Sequence, residues 1–217
     1  MTARPISRPA HFLARLTRLA ALAAAAALVL AGCTLSRPSP VKQTFLLEPA
    51  PVAAAARTHA GSLRVGMINV AGPFRGKALV VRESDLQYAG DFYHEFIVAP
   101  SAMIGDATAR ALGQAGVFTR VIPPGTAADA DWILDGFVSA FYADGRDRAS
   151  PAAVLTVTFY LTRADALPAV PFWSREYTRR APMASLDPRV HAAALNTALG
   201  DVLGELARDL AAADLKK

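Results

Sequence analysis

The sequence predicts an α/β (α+β) fold: a two-layer sandwich in which a mostly antiparallel or mixed sheet carries two main helices packed on one face. Three observations predict it. Ala153 to Arg163 alternates strictly, with Leu155, Val157, Phe159 and Leu161 set against Thr156, Thr158, Tyr160 and Thr162. That is the pattern of a strand covered on one side only. The segment after Asp187 carries Leu195, Leu199, Val202, Leu203, Leu206 and Leu210 at helical spacing, a stripe that must be buried against something. A second stripe, Met103, Ile104, Ala107, Ala111 and Leu112, lies upstream. Two apolar helix faces and one apolar sheet face satisfy each other as two layers.

The elements follow in order. Thr44 to Glu48 is a short first strand, and Leu63 to Val70 a longer one that Gly72-Pro73 ends. Ala78 to Arg82 is β-rich, Tyr88 to Asp91 reads as a turn, and Tyr93 to Val98 as extended chain. A helix runs from Pro100, which suits a first turn, to Gln114, with Gly113 and Gly116 marking its end. Val117 to Ile122 is a strand. Asp131 to Tyr142 and Ala153 to Arg163 form a hairpin across the polar loop Asp144 to Pro151. Pro171 to Arg180 adds a third strand to this meander. Asp187 as N-cap and Pro188 at N1 open the last helix.

The N-terminus is of another kind. Residues 1–18 hold Arg4, Arg8, Arg15 and Arg18 and no acid, and Leu19 to Leu30 is wholly apolar. That run has 12 residues, whereas a bilayer-spanning helix needs about 20. A basic start, an apolar core and small residues at its end make a secretory signal peptide over 1–32. No Arg-Arg pair occurs in it, which argues against the twin-arginine route. Leu30-Ala31-Gly32-Cys33 resembles the bacterial lipobox. Small residues fit the peptidase, and the thiol of Cys33 is the nucleophile that takes a diacylglycerol. Cys33 is the single cysteine of the chain, so no intrachain disulfide competes for it. The resemblance makes Cys33 the lipidation site, with covalent lipid (palmitate-type acyl chains) in place of any cofactor. Thr34 stands where inner-membrane lipoproteins carry aspartate, which implies the periplasmic face of the outer membrane of a Gram-negative bacterium.

Residues 33–60 read as the lipidated cysteine and a Pro/Ala-rich tether, since Pro38, Pro40, Pro49 and Pro51 interrupt any helix. The domain proper is then 61–213. Removing the first 32 residues from 217 leaves 185, enough for one core. The pI of 9.7 misleads. Four of the 23 basic residues leave with the signal, so 19 bases face 18 acids. With no basic cluster beyond Arg179-Arg180 and the terminal lysines, nucleic acid is not an expected partner.

Catalytic chemistry is hard to place. His59, His94 and His191 are the histidines after the signal, His59 in the tether and His191 in the first turn of the last helix. None is spaced with another ligand as a metal pair. No P-loop and no G-x-S-x-G elbow is present. Asp144, Asp147 and Asp165 could be drawn together as a carboxylate site, but read more simply as solvated loop acids beside Arg146 and Arg148. No catalytic and no metal residue is therefore assigned. Asp91 to Phe96 is the richest candidate surface, with three aromatics and a histidine in six residues. Tyr88, Phe92, Tyr93 and Phe96 are the candidate partner-binding residues, because aromatics concentrate in interface cores. The plainer reading is a strand with alternate aromatics in the core and Tyr93 and Glu95 outside.

Over roughly Thr44 to Ala211 the chain resembles the ABC-type transport auxiliary lipoproteins, the PqiC-like accessories of MCE systems. The pieces that carry the resemblance are the lipobox, Phe45-Leu46-Leu47, Leu63-Arg64-Val65-Gly66, Leu79-Val80-Val81-Arg82, the run Tyr93 to Pro100, and Ala130-Asp131-Trp132-Ile133-Leu134-Asp135-Gly136. The terminal helix completes the series. Where many members carry a Trp-Ala-Glu-Pro-like stretch, this chain has Glu95-Phe96-Ile97-Val98-Ala99-Pro100. The resemblance implies a non-catalytic outer-membrane accessory to an ABC transporter that moves lipids or other apolar molecules. Its partners would be an MCE-type periplasmic substrate-binding protein with its permease and ATPase, and the membrane through the lipid anchor. A homo-oligomer is compatible with it. Two other readings stand beside it: a lipoprotein scaffold for envelope or outer-membrane protein assembly, and a lipid-anchored enzyme or apolar-ligand carrier.

Overall fold

The computed structural model describes residues 41–215 together with Arg18, Ala20 and Ala21, which are helical and exposed. The rest of the expected signal peptide, the expected lipidation site Cys33 and the first part of the expected tether, up to Pro40, lie outside the described residues, as do the last two lysines. The chain divides into residues 1–40 and a body from Val41 onward. No helix among the described residues is long and apolar enough to cross a membrane.

The body is a mixed sheet of eight strands with two helices. In chain order the elements are β1 (Gln43–Phe45), β2 (His59–Val70), β3 (Ala78–Arg82), β4 (Tyr88–Phe96), α1 (Pro100–Ala115), β5 (Phe118–Ile122), β6 (Trp132–Asp144), β7 (Ala152–Arg163), β8 (Trp173–Pro182) and α2 (Pro188–Ala212), with a 3-10 turn at Gly72–Phe74. The meander β6-β7-β8 is antiparallel throughout. On its other side β6 pairs in parallel with β2 and, near its end, with β3 through Val81↔Ala143 and Arg82↔Asp144. The sheet continues from β2 to a parallel β5, and from β3 through an antiparallel β4 to a parallel β1.

The alternation of β7 does what the sequence predicts. Leu155, Val157, Phe159 and Leu161 are fully buried, and the hydroxylated partners lie half-buried on the opposite face. Both helices pack on the apolar face. α2 contacts β7 and β8, α1 contacts β2 and β5, and the helices touch each other. Asp187 caps α2 by accepting the Arg189 N–H at 2.8 Å, and Pro188 fills N1. α1 has Pro100 at N1 and stops at Gly116, whose φ of 68° closes the last turn in the left-handed region glycine tolerates.

Three sequence expectations are corrected. The turn placed at Tyr88 to Asp91 belongs earlier: the Glu83 N–H donates to the Gln87 carbonyl, and Tyr88 already begins β4. The tether is shorter than its composition suggests. After β1 the chain runs as a strap along α2, with Leu47 buried in the core and Val52 and Ala55 packed against it. The Ala55 N–H donates to the Ala115 carbonyl, and Asn196 Nδ2 to the Glu48 carbonyl. His59 is likewise not in a tether. It opens β2, is buried, and sets Nε2 2.8 Å from the Leu210 carbonyl of α2.

β2 bends twice, and two acids of β6 and its approach hold the bends. Asp131 accepts the Ser62 N–H, and Asp135 the Met67 N–H, each at 2.7 Å. The Asp135 carboxylate occupies the space a Cβ on residue 66 would need, so position 66 must be glycine for this contact to form.

Candidate functional site

The four aromatics singled out in the sequence do not share one environment. β3 and β4 pair at Val80↔Gly90 and again at Ala78↔Glu95. Between these pairs one residue of β3, Leu79, is matched by four of β4, and Asp91 to His94 is thrown out as a bulge. Asp91 holds its shape. One carboxylate oxygen accepts the Tyr93 and His94 N–H groups at 2.8 and 3.0 Å. The other lies 2.7 Å from His94 Nδ1. Burial pushes the Asp91 pKa up, but the backbone bond from Tyr93 and the contacts with His94 outweigh it and leave the group below its ordinary value.

The bulge decides which aromatics face solvent. Phe92 and Tyr93 project outward, 70% and 39% exposed, with their rings edge-to-face at 5.1 Å. Phe96 returns to the ladder and is 1% exposed, packed on Phe141 at 5.4 Å. Phe96 therefore supports the surface from the core and cannot itself meet a partner. Tyr88, at the other end of β4, is partly exposed above Phe74 and Tyr142, with the Arg82 guanidinium over its ring. The plainer reading, alternate aromatics inward, holds for Phe96 and fails for Phe92, because the bulge breaks the two-residue period.

β1 covers only part of the β4 edge, through Gln43↔His94, Thr44↔Glu95 and Phe45↔Phe96. Lys42, one residue earlier, sets Nζ 5.2 Å from the Phe92 ring centroid and 3.1 Å from Glu95. Lys77 reaches the same glutamate. Val41, where the body begins, is 81% exposed. At the far end of the same edge Leu46 and Ile97 are also exposed. Of the exposed apolar groups of this edge, Phe92 stands at the end where the chain leaves toward Cys33, with Lys42 over its ring.

The three acids considered as a carboxylate site are not brought together. Asp165 pairs with Arg163 beyond the end of β7, the full length of the hairpin from Asp144. Asp144 is not a solvated loop acid. Its side chain is 5% exposed and receives Arg146 Nε and Nη2, each at 3.0 Å, and Arg180 Nη1 at 2.9 Å. These bonds, Arg146's first, outweigh burial and hold the carboxyl well below the usual carboxylate range. Arg146 also reaches Asp85. Arg179 pairs with Glu205 of α2. Asp147 lines one cleft with Asp144, Arg146 and Arg180, and its carboxylate accepts the Ala149 N–H at 2.9 Å. His191 stays in the first turns of α2, buried, with Nε2 lacking a hydrogen-bond partner. Among the described residues no three His, Cys, Asp or Glu side chains gather as a metal-sized cluster. The clefts found there are open and mixed in polarity. One of about 460 Å³ follows the strap along α2, and one of about 640 Å³ lies between Arg57–Ala60 and Trp132.

No protein-family model matches the sequence, and no curated protein matches it. Solved structures do. Protein XCC0632 from Xanthomonas campestris, a DUF330 protein, aligns with a TM-score of 0.67 at 21% identity, over 76% of this chain and 92% of its own. The chain has the fold of XCC0632. A second structure, of an uncharacterized protein, gives a TM-score of 0.60 at 15% identity over 78% of this chain and 99% of its own. The PelC dodecamer from Paraburkholderia phytofirmans aligns over 71% of this chain and 93% of its own at 18% identity, and its TM-score of 0.37 is too low to carry the topology.

Proposed function

We propose that this protein is a non-catalytic, lipid-anchored accessory of an ABC transporter with an MCE-type substrate-binding protein, held at the periplasmic face of the outer membrane by Cys33. It assembles or positions a system that moves lipids or other apolar molecules, and need not carry the cargo itself. The observation that carries this reading is the bulge of β4: a rigid, hydrogen-bonded presentation of Phe92 and Tyr93 to solvent, at the root of the chain that leads to a lipobox cysteine. Exposed aromatics held in place are a contact surface, and a lipid on Cys33 would keep that surface at a membrane. Tyr88, Phe92 and Tyr93 are its accessible aromatics, and Phe96 braces them. The XCC0632-like fold supports the reading at the level of architecture.

The test is affinity capture of the lipidated protein from gently solubilised envelopes, followed by mass spectrometry. Co-recovery of an MCE protein with its permease and ATPase is the expected result. Recovery of an outer-membrane barrel protein in their place would move the protein to the scaffold reading, and recovery of neither from folded, lipidated material would remove the accessory role.

A further inference from the structure

We infer that the β4 bulge is seated on the lipid surface itself: Phe92 and Tyr93, with Lys42 beside them, rest in the headgroup region of the membrane that holds the acyl chains of Cys33. The inference rests on the reading of Cys33 as lipidated and deepens it by naming what the exposed aromatics touch.

The length of the leash is the first argument. Because the strap from Leu47 to Ala55 is packed into the body, the body begins at Val41, eight peptide links from Cys33. Fully extended, they reach about 28 Å. The point where the body begins cannot leave the bilayer by more than that.

The second argument is what stands at that point. β1 runs parallel to β4 from Gln43↔His94, and Lys42, the residue before it, lies over Phe92. Val41 is itself exposed, and the exposed pair Phe92 and Tyr93 adjoins Lys42, the next residue. Their chemistry is that of a membrane interface. Phe and Tyr pair an apolar body with, in Tyr93, a polar tip. Lys42 can lay its stem along an apolar surface while its ammonium stays on Glu95. Lys42 and Lys77 against Asp91 and Glu95 leave little net charge at the edge, so the attraction is apolar and interfacial and does not depend on an anionic lipid.

The third argument is rigidity. Asp91 fixes the bulge by three contacts, so Phe92 is held outward and cannot fold back into the core. A pre-ordered aromatic pair loses little conformational freedom on entering an interface.

The test uses the full lipidated chain in vesicles of phosphatidylethanolamine and phosphatidylglycerol. If the thiol of Cys33 is consumed by lipid, a Phe92→Cys variant presents one thiol for an environment-sensitive fluorophore. Tyr93→Cys provides a second probe of the bulge, and Leu167→Cys, in the exposed turn after β7, the aqueous reference. Mass spectrometry of the N-terminal peptide establishes acylation in the same preparation. The expected result is a blue-shifted probe at 92 and 93, quenched several-fold more than at 167 by headgroup nitroxides. If Cys33 is acylated and positions 92 and 93 are as aqueous as 167, the inference is overturned while the anchor stands. If Cys33 carries no lipid, the anchor reading falls and the inference with it. Shielding of 92 only after an envelope protein extract is added would assign the bulge to a protein partner and overturn the lipid contact.

Discussion

The Asp91 carboxylate accepts the backbone N–H of Tyr93 at 2.8 Å, and this short-range bond is what turns a β-strand into a display of aromatics. The same oxygen takes the His94 N–H, so the bulge has its own local hydrogen bonding in place of the ladder it leaves. Replacing Asp91 with alanine should cost about 1–2 kcal/mol. It should also speed amide exchange at Tyr93 and His94 far more than elsewhere in β4. The pH dependence has a definite sign. The folded pKa is depressed, so the stabilisation is present above the ordinary value of 3.8 and is lost as pH falls through the folded value. Urea melts of wild type and Asp91→Ala that stay parallel down to strongly acidic pH would contradict this.

Asp144 poses the opposite case, an acid whose partners come from the adjoining loop and from a distant strand. Arg146 follows it by two residues, whereas Arg180 arrives from β8. Asp144→Ala should destabilise by roughly 2–3 kcal/mol, below the ~3–5 kcal/mol of a fully buried pair, because both arginines are partly exposed and solvent screens them. Arg180→Ala should cost clearly less, since Arg146 still satisfies the carboxylate. Equal losses in chemical denaturation would show that the two arginines are not alternatives. The folded pKa of Asp144 is depressed, so its contribution persists through mildly acidic pH and fades only below the usual carboxylate range.

These two sites show where sequence reading succeeds and where it stops. The helices, the β6-β7 hairpin and the one-sided face of β7 are legible because each is governed by a period within one segment. The parallel pairing of β2 with β5 and β6 is not, since its register depends on residues more than fifty positions apart. Phe92 and Phe96 share a face on a regular strand, and only the Asp91 side chain separates them. Asp-x-Tyr-His was visible as letters, but its effect depends on the two adjoining strands. Asp144 looked solvated because Arg180 lies 36 residues away. The strap looked like a tether because proline and alanine are common to linkers and to close-packed extended chain, and only the surface of α2 tells them apart.

That surface carries Gly200 and Gly204, one helical turn apart. A Cβ on Gly200 would stand 3.5 Å from Pro49, and one on Gly204 would stand 4.0 Å from Val52. Both distances are ordinary contact, so alanine fits without displacing the strap. Gly204→Ala should raise stability by about 0.5–1 kcal/mol, the helix-propensity difference in a helix interior. Gly200→Leu has no such space and should lift Pro49, which thermal melts and proteolysis between Glu48 and Ala55 would both register. Leu47→Ala, removing a buried side chain, should cost about 2–4 kcal/mol. If Leu47→Ala were neutral, the strap would be a tether after all.

His191 supplies a pH response of its own, distinct from the acids. It lies in the first turns of α2, buried, with Nε2 unpaired, and burial lowers its pKa from 6.5 to about 4. The positive end of the helix dipole also disfavours a proton there. Between pH 6.5 and 4 the unfolded chain therefore binds a proton that the folded chain refuses. Stability is complete above 6.5 and declines as pH falls toward 4, by on the order of 2–3 kcal/mol. The acids of the preceding predictions act lower, so the window separates them. His191→Leu should flatten the unfolding free energy across this window while leaving the steeper acid limb in place. A wild-type curve already flat from pH 6.5 to 4 would mean that a bound water or a local opening lets the ring protonate inside the fold.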